Sequence, residues 1–119
     1  VQVQVAHLLG TATLHNDSME AFATARVFPA GVPCSSTKPL TGHALGAAGA
    51  LEAALCWDLL NTRAASQGLP PNVFDGVCDP ALPPLALVRR LRPVHGLRRV
   101  MSNSFGFGGS NVSLLLEKT

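Results

Sequence analysis

Apolar and polar residues fall into blocks along this chain, and the spacing within each block names an element. Val1 to Leu9 alternates at first, as Val-Gln-Val-Gln-Val, and then turns mostly apolar. That pattern predicts a strand entering a buried, parallel sheet. Asp17 opens a helical pattern, and Glu20 three residues later completes a capping box. Met19, Phe22, Ala23 and Val27 share one face of that helix, which Pro29, Gly31 and Pro33 end. Val32 to Thr37 predicts a short strand. Ala44 to Leu60 is apolar on nearly every side and predicts a buried core helix. A membrane span would need about 20 apolar residues, and Glu52 and Asp58 interrupt this run. Gly42, Gly46, Gly49 and Ala53 form a small-residue stripe suited to tight packing. Gln67 to Pro93 is proline-rich and predicts a wrapping loop with a short edge strand near Leu85 to Val88. Val100 and Met101 lie before the stretch Ser102 to Asn111, and Val112 to Leu116 follows it. That is strand, glycine turn, strand: a C-terminal hairpin. The order predicts a layered α/β fold.

Composition sharpens this picture. The chain has 119 residues, enough for one domain with a modest core. Apolar residues make up 47% and charged residues 13%. Such low charge argues against disorder, and it points to a surface that something else covers. A net charge of +2 is too small to argue for nucleic acid. There is no Tyr, and Trp57 stands alone, so no aromatic stacking platform is visible. The chain begins inside a strand pattern, without Met, signal peptide or basic leader, so we expect the C-terminal piece of something longer. Cys34, Cys56 and Cys78 are odd in number and lack metal-ligand spacing. Reduced thiols in a cytosolic protein are the expectation, with no metal. Arg89, Arg90, Arg92, Arg98 and Arg99 are five of the nine basic residues. Their plain role is to keep an edge soluble.

Three stretches carry chemistry. Ser102-Asn103-Ser104-Phe105-Gly106-Phe107-Gly108-Gly109-Ser110-Asn111 holds more glycine than one turn needs. It precedes a strand and has no Lys after its glycines, which disfavours a nucleotide loop. Lys38-Pro39-Leu40-Thr41-Gly42-His43 is followed by Ala47-Ala48-Gly49. Gly10-Thr11-Ala12-Thr13 is followed by Asn16-Asp17. In this order, over nearly the whole chain, they resemble the β-ketoacyl-acyl carrier protein synthases: the C-terminal glycine loop, the lysine–histidine motif, and the run after the first catalytic histidine.

The resemblance implies the C-terminal part of a thiolase-like fold over residues 1–119, lacking that half's first elements. It implies decarboxylative condensation of an acyl thioester with a malonyl unit, in fatty acid or polyketide synthesis. By resemblance, His43 holds the thioester carbonyl of the malonyl unit, as an N–H near the positive end of a helix can. Lys38 is a supporting charge. A buried charge needs a partner, and Glu52 and Glu20 are the available ones. The Phe107 N–H serves as an oxyanion donor and its ring gates the acyl pocket, with Gly106, Gly108 and Gly109 shaping the loop. Thr11 and Thr13 belong to the substrate loop. No cofactor is implied beyond the phosphopantetheine arm of an acyl carrier protein, which the basic cluster could steer. The implied partners are that carrier protein and the N-terminal half of the enzyme, through which the family dimerises.

Two positions depart from the pattern. The family reads histidine immediately before Gly-Thr, where this chain has Leu9. His7 is two residues away; in a strand it would share a face with Leu9 at about 6–7 Å, too far for a catalytic hydrogen bond. Cys34-Ser35-Ser36 superficially resembles the family's nucleophile motif. It leads directly into Lys38 and His43 on a strand, where no helix N-terminus lowers a thiol pKa. His15 is expected to be exposed, and His95 has no partner residue. The rival reading is a non-catalytic paralogue acting as a partner subunit, favoured by Leu9. A thiolase or other condensing enzyme is weaker, since the lysine–histidine motif is not expected there.

Overall fold

A strand between two other strands is buried on both faces, and that is the place of β1 (Val5–His7). The computed structural model describes residues 2–62 and 68–119. Val1 of the expected first strand and Gln67 of the expected loop lie outside the described residues. The other elements are α1 (Leu14–Val27), β2 (Cys34–Ser35), α2 (Lys38–Thr41), a 3-10 turn (Leu45–Ala47) and α3 (Ala48–Asn61). They are followed by β3 (Gly68–Leu69), β4 (Arg92–Pro93), β5 (Arg99–Phe105) and β6 (Asn111–Glu117). The main sheet runs β2-β1-β5-β6, with β1 parallel to both neighbours and β5–β6 the expected antiparallel hairpin. β3 and β4 form a separate antiparallel pair that the sequence pattern did not indicate.

Alternation along β1 sends side chains to two cores. Val5 packs with Cys56, Leu60, Leu69, Val88, Leu97 and Val100. Ala6 and the following Leu8 pack with Val32 and Cys34, against Phe28 and Leu85. α3 covers the first of these faces through Ala48, Glu52, Cys56 and Leu60, one residue from each turn. The expected all-round burial of this helix is therefore corrected: Leu51, Leu55 and Trp57 are exposed, because nothing in the described residues packs on its outer side. Of the small-residue stripe, Gly49 faces β5, where an added Cβ would sit 3.2 Å from Ser104 Oγ; Gly42 and Gly46 face open space.

The first helix also differs. It starts at Leu14, with Thr13 as an extended N-cap, so Asp17 and Glu20 form no capping box. Its buried side is Glu20, Ala21 and Thr24, while Met19, Phe22 and Val27 are exposed. Long-range partners of Glu20 decide that orientation. The strand expected over Val32 to Thr37 is two residues long, and the edge strand near Leu85 to Val88 is reduced to one bridge, Cys34 to Leu87. Two bonds still cover that edge: Cys34 N–H donates to Ala86 C=O, and Val88 N–H donates to Cys34 C=O. Among the described residues, no helix is long and apolar enough to cross a membrane.

Candidate functional site

The end of β1 is held by a carboxylate. Glu20 Oε1 accepts the Leu9 N–H at 2.8 Å and Oε2 accepts the Gly10 N–H at 2.9 Å. Burial raises the Glu20 carboxyl pKa, and the two N–H donors pull against that rise. Gly10 has φ +50°, and a Cβ there would lie 2.7 Å from Ser36, so this turn requires glycine. Ala12 is also left-handed, with φ 59°. Thr11 and Thr13 join through their hydroxyls at 2.9 Å on the exposed side.

Lys38 opens α2 and is buried. Its Nζ pairs with Glu52 Oε1 on α3, the ion pair that the sequence offered as one option. Glu52 Oε2 has no partner. His43 lies between α2 and the 3-10 turn, five positions before α3 begins, so it is not at that helix's start as expected. Its Nδ1 accepts the Leu45 N–H at 3.2 Å. A neutral ring so held carries its proton on Nε2, which is then free to donate.

The glycine loop closes where Gly106 N–H donates to Ser110 C=O at 2.7 Å. Gly108 and Gly109 have φ of +82° and +87°, and Phe107 is fully exposed at its tip. A cavity of about 430 Å³ is lined by Leu9, His43, Gly49, Ser104, Gly106 and Phe107, among others. The lysine–histidine segment, the glycine loop and the end of β1 thus meet, although they are far apart in sequence. Lys38, Thr11 and Thr13 are not among the lining residues. Leu9 contributes only hydrocarbon where a histidine would donate.

His7 points elsewhere. It lines a different cavity, of about 280 Å³, with Cys56 and Val100, and its Nε2 is 3.1 Å from Thr37 Oγ1. Its Nδ1 is buried without a partner. Burial first, then the Lys38 charge, lowers its pKa to about 4. Pairing of His7 with Thr37 was invisible in the sequence, since 30 positions separate them. Cys34 is fully buried, and burial with the nearby Glu20 charge pushes its thiol up to about 12. Burial and Glu52 raise Cys56 to about 11. Neither offers a thiolate near neutral pH. Among the described residues, no group of three or more His, Cys, Asp or Glu could hold a metal ion.

A β2-β1-β5-β6 sheet with an α3-type helix, a lysine–histidine turn and a glycine hairpin defines a thiolase-like condensing-enzyme fold. The profile of the family described as "Beta-ketoacyl synthase, C-terminal domain" matches residues 1–72. The chain belongs to the β-ketoacyl synthases. It is 39% identical to 3-oxoacyl-[acyl-carrier-protein] synthase 1 of Haemophilus influenzae over 110 residues, 92% of this chain and 26% of that protein. It is 37% identical to the mitochondrial 3-oxoacyl-[acyl-carrier-protein] synthase of Arabidopsis thaliana, over 96% of this chain and 25% of that protein. Its fold matches a chain in the solved structure of a ketosynthase (ApeO) in complex with its chain length factor (ApeC) from Xenorhabdus doucetiae. That match has a TM-score of 0.88 and 46% identity, covering 98% of this chain and 29% of that one. A β-ketoacyl synthase from Burkholderia phymatum matches with a TM-score of 0.87 and 36% identity. The chain spans about a quarter of the length of the curated relatives it matches.

Proposed function

We propose that residues 1–119 act as the C-terminal part of a β-ketoacyl-acyl carrier protein synthase, together with an N-terminal half that carries the nucleophilic cysteine. The observation that supports this best is the cavity shared by His43 and the Phe107 loop. In the reaction, an acyl group passes from a carrier-protein thioester to that cysteine. A malonyl thioester then loses carbon dioxide, and its enolate attacks the acyl carbonyl and displaces the cysteine thiolate. Negative charge builds first on the malonyl carbonyl oxygen, where His43 Nε2–H would donate, and then on the acyl oxygen, where the Phe107 N–H would donate. Lys38, held by Glu52, braces the segment leading to His43, and Glu20 braces the other side of the cavity. Thr11 and Thr13 would hold the phosphopantetheine arm of an acyl carrier protein, so no separate cofactor is needed. The exposed Leu51, Leu55 and Trp57 of α3 suit burial by the N-terminal half. Assembly would be dimeric, without nucleic acid or membrane. We place the reaction in the cytoplasm, in fatty acid or polyketide synthesis; all three cysteines are unpaired.

Leu9 favours a second reading. A chain with an apolar side chain where the first histidine belongs fits a non-catalytic partner subunit, and the ketosynthase structure above is itself a complex with a chain length factor. One experiment separates the two. Leu9→His and the native chain are each combined with an N-terminal half bearing the nucleophile, and condensation is timed. Loss of one oxyanion donor costs about 2.7–4 kcal/mol, so the native chain should be roughly a hundredfold or more slower. Equal rates would show that another group supplies the missing donor and would remove the case for a non-catalytic partner. Acylation of the 119-residue chain alone at Cys34 would overturn both readings.

A further inference from the structure

The two edges of the main sheet are treated differently. The β2 edge is two residues long and is covered by the 85–88 segment. Among the described residues, nothing pairs with the far side of β6. That strand is seven residues long, contains no Pro or Lys, and has its one charge, Glu117, at the end and paired with Arg99. Val112, Leu114 and Leu115 are exposed on it by 59%, 40% and 44%. A long, bare, apolar edge is a template for another strand.

The hydrogen-bond phase of β6 says which residues are available. Gly106 N–H donates to Ser110 C=O and Lys118 N–H donates to Arg98 C=O, so both pairs belong to the bonded set. Bonded pairs recur every second residue in an antiparallel ladder. Residues 112, 114 and 116 therefore turn their backbone groups to β5, and Asn111, Ser113, Leu115 and Glu117 turn theirs outward. From this we infer that β6 pairs with β6 of a second copy of this chain, antiparallel, about a two-fold axis through Leu114. That register uses all seven residues. Ser113 bonds Leu115 of the other copy, and Asn111 bonds Glu117, which keeps the two Glu117 carboxylates apart. On the side-chain level Leu114 meets Leu114, and Val112 meets Leu116, on the face shared with α3. The result is a continuous eight-stranded sheet with a closed, isologous contact. The inference rests on the sheet edge and is independent of the reading of the cavity.

Sedimentation velocity across a concentration series tests it. The 119-residue chain is expected to form a dimer. Ser113→Pro removes an outward N–H and leaves the β5 ladder intact. Self-association should then weaken at least tenfold, with the far-ultraviolet circular dichroism unchanged. In a Cys78→Ser background, Leu114→Cys should link two copies on oxidation, because opposed non-bonded residues sit about 4.5 Å apart at Cα, within disulfide reach. Ser113→Cys should not link. A monomer at every concentration would overturn the pairing. So would a dimer that survives Ser113→Pro with the fold intact, as association through the outer face of α3 would. If residues of a longer product cover β6, Leu114→Cys in that product stays unlinked, and the inference fails there too.

Discussion

Glu20 and Glu52 are both buried, each on a helix of 14 residues, and each is satisfied in a different way. Glu20 spends both oxygens on neutral backbone donors, Leu9 N–H and Gly10 N–H. Glu52 meets one charge, Lys38, and leaves its second oxygen without a partner. The first arrangement fixes a piece of main chain at the mouth of the cavity. The second fixes a side chain five residues before His43. A carboxylate held by main-chain donors depends on local backbone geometry and no other charge. An ion pair depends wholly on its partner, because desolvation penalises either charge alone.

Removing that partner should give the largest effect. Lys38→Met leaves Glu52 buried and uncompensated, and breaking a buried pair this way costs about 3–5 kcal/mol. Urea unfolding should show it, and Lys38→Met combined with Glu52→Leu should recover most of the loss. A single variant no weaker than the double one would mean that Glu52 takes another partner. Next comes the pH dependence on the Lys38 side of the comparison. His7 is held neutral in the fold down to about 4, against an ordinary 6.5. Its contribution is complete above the ordinary value and is lost as pH falls, because the unfolded chain takes up the proton first. The difference amounts to about 3 kcal/mol near pH 4. Glu20, with its pKa raised, works in the opposite direction, so the readout is the difference between native chain and His7→Asn in thermal melts at pH 7 and pH 4.5. If acid weakens both equally, His7 does not carry the loss. The smallest effect belongs to Glu20→Gln. One N–H loses its acceptor, at about 1–3 kcal/mol, and relief of a buried charge returns part of this. Chemical denaturation should place the net cost near 1–2 kcal/mol; a cost matching Lys38→Met would erase the distinction between the two glutamates.

Local features of the fold were legible in the sequence, and features made at long range were not. The β5–β6 hairpin is spelled by neighbours, with Gly106 to Gly109 between two apolar runs. Helices near 14–27 and 48–61 follow from spacing and from the prolines and glycines that end them. The buried side of α1 does not follow. Its apolar residues Met19 and Phe22 face outward because Glu20 is drawn in by donors ten and eleven positions earlier. The same holds for α3, whose composition promised burial on all sides and whose neighbours in this chain supply one. Of the candidate site, His43 and the glycine loop were found by motif, and they line one cavity. The seat of His7 beside Thr37 could not be found, since no spacing rule links a strand to a turn 30 residues on.

The central position of β1 has a consequence for how this chain is made. Its partner in β5 arrives late: Val5 pairs with Val100, and Gln4 Oε1 accepts the Arg99 N–H across 95 residues. While a ribosome is still delivering the proline-rich middle, β1 has at most the two residues of β2 beside it, and α3 has no sheet to lie on. Closing so long a loop is slow compared with forming the hairpin itself. The apolar helix therefore waits in the open until residues 99–117 emerge, a window in which a nascent chain is open to chaperones and to aggregation alike.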